Sequence, residues 1–521
     1  MDLLIDTIDL HVHGGPDSIP RKQLQSEIAE EALSNHMRGV VFKSHVRSTA
    51  DDCTAINNRL GKTVAYSSLV LNDFIGFNVA KVERELKKGI RIVYMPTSSA
   101  KTLKIFDKNG EIRGDVTEIL KLVAERNVTL ATGHLSEREI FLLVPLAKKL
   151  GVRKIIVTHP DLDVCKLSAD AQSKLKEYGV YFERTCYCAL QSDRNFRDIV
   201  DNIRKTGVEA NIISSDLGQS QNPKPVDGFS EFLQKLLAAG FNEYELGVMT
   251  KLNPLKLLNL MDEFVSRFIR DYVANEQIKQ KTRYREPVVG FARASNPEFL
   301  KLKGIVRPSH KLPSDLLSNA ETVIVIFLPF SNAIIDGNAS GDKPSKAWSI
   351  AYTETNELLD KLTRNLAEEL KATGYDSVGV PSTHHLSHAK KDFYDEKELY
   401  SDWSQKHVAE IAGVGKTGVN KLLISKYGCA GRLGSLVTAL KVDATPRDSF
   451  EYCLTKRGIK CDKCIERCPV KAISADFFDR SKCMEHLVKQ RKFQEREFKD
   501  IIPTQTCGKC CCDVPCSKQI P

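Results

Sequence analysis

The sequence predicts an α/β chain in two parts, an N-terminal (β/α)8 TIM barrel and a C-terminal α+β region that ends in a cysteine-rich module. Three observations carry this reading. Up to about Met261, eight apolar β-rich runs alternate with amphipathic helical stretches. Beyond a charged helical stretch the elements become shorter and follow no such alternation. Eleven of the fifteen cysteines then fall between Cys429 and Cys516.

The expected strands are Leu3–His11, Gly39–His45, Thr63–Leu71, Ile90–Thr97, Thr129–His134, Lys154–His159, Val180–Thr185 and Ala210–Asp216. Helical patterns lie between them at Gln25–Asn35, Val79–Lys88, Val116–Glu125, Ser136–Leu150, Asp170–Tyr178 and Asn195–Lys205. Eight strands alternating with helices are the number that closes a barrel, while an open doubly wound sheet is the alternative that alternation also allows. The barrel domain is therefore expected over residues 1–261. Residues 262–287 carry Arg267, Arg270, Lys279, Lys281, Arg283 and Arg285 and read as a helical linker with a solvated basic face; an RNA-binding face is the rival. An α+β domain is expected over 288–440, with strands Val288–Ala292, Thr322–Leu328 and Ser377–Val380 and helices Thr353–Thr373 and Trp403–Ile411. The cysteine-rich module occupies 441–521.

Composition bounds the partners. The chain is 42% hydrophobic and 27% charged, which argues against disorder, and no run approaches the ~18 uninterrupted apolar residues of a membrane span. The start lacks the basic region of a secretory signal, so a cytoplasmic protein without membrane contact is expected. A net charge of +9 over 521 residues is too mild to argue for nucleic acid. Crowded cysteines in a reducing compartment favour metal or cluster ligation over disulfides.

In a parallel barrel the chemistry gathers where strands end. His11 and His13 close the first strand on one face, because strand residues i and i+2 point the same way. His134 closes the fifth, His159 the sixth and Asp216 the eighth. Four imidazoles and a carboxylate suit one or two divalent ions such as Zn, Mn, Fe or Ni. These residues resemble the amidohydrolase superfamily, with its HxH after strand one, His after strands five and six, and Asp after strand eight; the histidinol-phosphatase-like barrels, which also begin with HxH, are the alternative. The resemblance implies a hydrolase of a small-molecule substrate, in which His11, His13, His134, His159 and Asp216 hold metal and Asp216 also takes the proton of the attacking water. Two-metal members carry a lysine or glutamate after strand three or four, which Tyr94-Met-Pro-Thr97 does not provide. Lys43 and His45, at the end of strand two, are the substitutes within reach, with Lys43 either a bridge or a contact for a substrate anion. The motifs HVHGGPD, KSH and THP also resemble an uncharacterised group of amidohydrolase-like proteins.

The run Cys461-Asp-Lys-Cys464-Ile-Glu-Arg-Cys468-Pro469 matches the ferredoxin pattern C-x2-C-x2-C-x3-C-P except that Gly458 stands where the first cysteine belongs. In two-cluster ferredoxins the cysteine before proline serves the other cluster. Two interleaved 4Fe-4S sites follow: Cys453, Cys461, Cys464 and Cys516 for the first, Cys468, Cys483, Cys507 and Cys510 for the second. Cys511 and Cys512 are spare sulfurs that could substitute for Cys510 or Cys516, Cys429 is read as a packing residue or a contact near a bound group, and a structural zinc site is the competing reading of the C-x2-C pairs. Gly415-Lys416-Thr417 does not complete a P-loop, since Glu410 occupies its first glycine position.

The glycine-rich run Ala409–Gly428 with Gly431-Arg-Leu-Gly434 resembles the epoxyqueuosine reductase family, which carries a similar glycine-rich helix start, an R-L-G strand and two 4Fe-4S clusters. The resemblance covers about residues 282–521. It implies cobalamin beside the proximal cluster, lined by Gly413–Asn420 and by Gly431, Arg432, Gly434, Ser435 and Thr438, with tRNA as substrate. Asp402 or His407 is the candidate proton donor, in place of the family's acid-bearing segment. The family's helical-repeat tail for tRNA is missing, which favours an unassigned iron–sulfur reductase, or a module carrying electrons for another partner. Either needs a redox partner of ferredoxin or flavodoxin type.

Overall fold

The computed structural model describes residues 3–382, 393–395 and 397–521. The chain divides into two units, Met1–Leu260 and Met261–Pro521. In the first, β1 (Ile8–Val12), β2 (Gly39–Phe42), β3 (Ala65–Val70), β4 (Ile92–Tyr94), β5 (Thr129–Ala131), β6 (Ile155–Val157), β7 (Tyr181–Thr185) and β8 (Asn211–Ser214) pair in chain order, all parallel. The sheet closes between β1 and the end of β8. A parallel bridge joins Val12 to Leu217, with Asp216 N donating to His11 O and His13 N to Leu217 O, both at 2.8 Å. This is a TIM-like barrel and not an open sheet. Its strands are buried on both faces, which is why they read as continuous apolar runs.

Most strands end earlier than their apolar runs suggested, at Phe42, Tyr94, Ala131, Val157 and Ser214. The polar residues beyond leave the ladder to turn inward. His159 at φ 24° and Asp216 at φ 52° adopt left-handed backbone, which side chains other than glycine take only when the surroundings impose it. Gly218 completes the closure: a Cβ there would lie 1.8 Å from His13 O, so the chain passes only as glycine. Along β7 the period-two alternation sends Glu183 into the barrel and Arg184 outward. The buried Arg184 is matched on every side, by Asp161 Oδ2 at 2.7 Å, Gln172 Oε1 at 2.8 Å and Asn211 Oδ1 at 2.8 Å.

The second unit is built on an antiparallel sheet containing β9 (Val288–Arg293), β10 (Thr322–Pro329) and β11 (Ser377–Val380). The strand Gly431–Thr438 pairs between β11 and β10, and β9 forms the other edge. The helix Lys346–Ala372 packs on this sheet and starts earlier than expected, because Ser345 Oγ accepts the Trp348 N–H at 3.2 Å and caps it. The helix expected from Trp403 begins at Gln405. Trp403 is instead a buried anchor whose indole N–H donates to Ser435 Oγ at 3.0 Å. The run Ala409–Gly428 starts no helix: it begins in the last turn of Gln405–Ile411 and then folds into a tight pairing of Lys416–Thr417 with Leu423–Ile424.

The stretch 262–287 is not a free connector. Its helix Met261–Gln277 buries Met261, Val265, Ile269 and Val273, a four-residue spacing that makes one apolar stripe, and packs against Lys346–Ala372. There Asn365 Nδ2 donates to the Tyr272 hydroxyl at 2.8 Å. Among the described residues no helix is long and apolar enough to cross a membrane.

Candidate metal centre and cysteine sites

Three of the five expected metal ligands converge. His11 Nε2 lies 3.3 Å from His13 Nε2 and 3.1 Å from Asp216 Oδ1, and His13 Nε2 lies 3.3 Å from the same oxygen. A tetrahedral ion bound at about 2.0–2.1 Å sets its ligands about 3.3–3.4 Å apart, so this triangle is close to one face of such a site. His134 and His159 stand beside it and outside this closest set. Their ring centroids are 5.0 Å apart, and His159 stacks 5.9 Å from His11.

Burial sets the charge state of the imidazoles. It drives His11 well below the ordinary histidine range, His134 down to about 2 and His159 to about 4. The three rings are therefore neutral at physiological pH, the form that offers a lone pair to a metal. Burial pushes the Asp216 carboxyl up, but His11, His13 and His159 outweigh it and hold the group well below the usual carboxylate range.

Glu183, Asp17 and Arg21 belong to this centre although no role was assigned to them from the sequence. Glu183 Oε2 accepts from His11 Nδ1 at 3.2 Å and from the His159 backbone N–H at 3.3 Å. With Nδ1 donating, the Nε2 lone pair of His11 faces Asp216. Two charged residues inside a buried strand, Glu183-Arg184, were the available signal. Substituting Glu183 with glutamine is expected to weaken divalent-metal affinity about 10- to 100-fold, the usual effect of losing the carboxylate behind a ligating histidine. Competition with a chromophoric chelator measures it, and unchanged affinity would remove Glu183 from the centre.

Lys43 is buried with Nζ 3.0 Å from His11 Nε2 and 4.6 Å from the Tyr94 ring centre, and burial lowers its pKa. His45 is displaced from the triangle. It stacks on His13 at 4.8 Å, and its Nδ1 lies 3.2 Å from Asp17 Oδ2. Burial lowers its pKa to about 4.

In the second unit the cysteines gather around two cavities. Cys453, Cys461, Cys464 and Cys516 line one. Cys468, Cys483, Cys507 and Cys510 line the other, of about 280 Å³, together with Cys429 and Cys511. A zinc ion at about 2.3 Å from four thiolates would bring the sulfurs to about 3.8 Å of one another. Among the described residues no three cysteine sulfurs lie within 4.8 Å of each other. Cys429, of the two readings open to it, is placed at the cavity wall, and its Sγ lies 3.9 Å from Cys516 Sγ. Cys512 is fully buried and accepts from Asn338 Nδ2 at 3.5 Å. Gly508 lets the backbone between Cys507 and Cys510 cross the Trp348 indole, where a Cβ would come within 2.2 Å.

The larger cavity is also lined by Phe330, Trp348, Tyr352 and Phe478, and by Lys406, Lys421 and Arg432, with no Asp or Glu. Of the strand residues expected to line a bound group, only Gly431 and Arg432 reach it. Gly434, Ser435 and Thr438 lie deeper in the sheet: Gly434 abuts Leu359, Ser435 accepts from Trp403, and Thr438 accepts from Ser377 Oγ at 2.8 Å. Of Gly413–Asn420, Asn420 alone lines this cavity, while Gly418, Val419 and Asn420 line the smaller one. Asp402 and His407 line neither. Asp402 Oδ1 accepts from Ser309 Oγ at 2.6 Å, and His407 Nδ1 lies 2.8 Å from Ser404 Oγ. Lys406, next in sequence, does face the cavity, and burial followed by the charges of Arg480 and Lys421 lowers its pKa to about 8.

The profile of a family of unknown function (DUF6282) matches residues 6–183, from β1 into β7. No curated protein matches the chain. Among solved structures, an amidohydrolase from Pseudomonas aeruginosa is 13% identical over 49% of this chain and 97% of its own, with a TM-score of 0.38. An amidohydrolase from Burkholderia multivorans is 10% identical over 48% of this chain and 98% of its own, TM-score 0.34. Epoxyqueuosine reductase from Streptococcus thermophilus is 17% identical over 47% of this chain, TM-score 0.30, and the match spans 65% of that protein, less than two thirds of its length.

Proposed function

We propose that the first unit is a metal-dependent hydrolase of C–N or C–O bonds and that the second is an iron–sulfur reductase with two 4Fe-4S clusters. The His11–His13–Asp216 triangle carries the first part, because its edges of 3.1–3.3 Å suit one Zn, Mn, Fe or Ni ion. When bound, such an ion would acidify a water and polarise the scissile carbonyl. Asp216, kept ionised by the surrounding imidazoles, accepts the proton of the attacking water. His134 and His159 complete the rim as neutral imidazoles, and Lys43 meets developing negative charge on the substrate. Glu183 fixes the ring of His11, and His45 holds the Asp17 side of the centre.

The second part is supported by the two groups of four cysteines, whose donor chemistry suits iron–sulfur clusters. Cys453, Cys461, Cys464 and Cys516 would hold one and Cys468, Cys483, Cys507 and Cys510 the other, each passing single electrons from a ferredoxin- or flavodoxin-type donor. The aromatic, cation-lined cavity beside the second group favours a reductase over a plain electron carrier, since a carrier needs no room for an organic ligand. Cobalamin is the narrower reading of that space, with Gly431 and Arg432 on its wall, and tRNA epoxyqueuosine the narrower reading of the substrate. Anaerobic purification tests both halves. Hydrolysis of at least one member of an ester, lactone and amide panel by the metal-loaded chain, with broad cluster absorption, is expected. A corrinoid band would support the narrower reading. An inactive barrel, or a colourless protein without iron, would overturn the corresponding half.

A further inference from the structure

Next to the triangle lies a second convergence of ligand-type atoms, from His13, Asp17 and His45, all within 4.8 Å of one another. We propose that the Arg21 guanidinium stands in for a second divalent cation at this point, so that the barrel holds one ion. The inference rests on the metal-dependent reading of the triangle. Arg21 Nη2 lies 2.5 Å from Asp17 Oδ2, 3.2 Å from His13 Nδ1 and 3.1 Å from His45 Nδ1, the point on which the three side chains converge. Its Nε makes a further bond to Asp17 Oδ2 at 3.1 Å.

The pairing is sealed. The Arg21 side chain is 2% exposed and the Asp17 side chain 0%. The other carboxylate oxygen, Asp17 Oδ1, accepts the His45 backbone N–H at 3.0 Å and Ser44 Oγ at 3.3 Å, so Asp17 has no lone pair turned toward another cation. A guanidinium is permanently charged and can only donate, which answers the buried Asp17 carboxylate and the His45 ring nitrogen that face it. A divalent ion entering beside it would meet a buried like charge. Remove the guanidinium, and the Asp17 carboxylate is left buried beside the His45 ring with no counter-charge, a pair that recruits a cation.

Mn²⁺ is the probe, because it prefers oxygen and nitrogen ligands and leaves the thiol groups aside. Chelator-treated full-length chain is titrated with Mn²⁺ under anaerobic conditions, with free ion counted by electron paramagnetic resonance. The wild type is expected to bind one Mn²⁺ per chain, and Arg21→Ala and Arg21→Gln each two, a doubling accompanied by the broadened signal of a coupled pair. Arg21→Lys, which keeps the charge, is expected to stay at one. Two ions in the wild type would overturn the proposal, and this count stands whether or not the variants fold. One ion in the folded Ala and Gln variants would overturn it while leaving the metal-dependent reading intact. No ion in the wild type would overturn both.

Discussion

Replacing Asp216 with asparagine is expected to lower hydrolysis by the metal-loaded chain by about two to four orders of magnitude, the usual contribution of a positioned proton acceptor. The substitution preserves shape and nearly preserves volume. It removes the one anion of the triangle, which lies 3.1 Å from His11 Nε2 and 3.3 Å from His13 Nε2. The backbone at this position takes a left-handed conformation that asparagine tolerates about as well as aspartate. Loss of activity would then reflect the missing carboxylate and not a displaced chain. The check is kcat/KM on whichever panel substrate the wild type hydrolyses, beside metal content and a circular-dichroism spectrum. A variant that keeps its metal and most of its rate would remove Asp216 from the role of proton acceptor.

Converting Cys483 to alanine is expected to halve the iron of anaerobically purified protein, from about eight ions per chain to about four, and Cys453→Ala to do the same through the other site. These two positions are the informative ones. Cys483 sits in the helix Arg480–Glu497 and Cys453 ahead of a short turn, each with no cysteine within several residues. Cys510, by contrast, is followed by Cys511, which lines the same cavity and offers a substitute sulfur. The double variant is expected to carry almost no cluster iron. Iron that stays at eight in either single variant, or falls to zero in one of them with the fold intact, would overturn the division into two independent groups.

Much of the first unit was legible because its signals are local. An apolar run bounded by polar residues marks a strand, and the i, i+2 spacing of His11 and His13 places both rings on one side of it. Motif spacing separates Cys468 from Cys461 and Cys464, and these cysteines line different cavities. The strand Gly431–Thr438 shows the limit. Its R-L-G motif directed attention to a whole segment, yet antiparallel pairing on both sides draws Gly434, Ser435 and Thr438 into the sheet and leaves only its first two residues at the cavity.

The sequence by itself determined the eight strands and the polar residues that end them, because each is written in spacings of a few residues. Only the tertiary structure decided which side chains converge. Asp216 meets His11 through barrel closure, across more than two hundred residues, and the left-handed turns at His159 and Asp216 aim side chains in directions no strand periodicity contains. The same closure turns Glu183 toward His11, and it brings Arg21 into the space between His13, Asp17 and His45. Spacing along a chain specifies a face of a strand, whereas a coordination sphere is a relation among distances of about 3 Å between elements far apart in sequence.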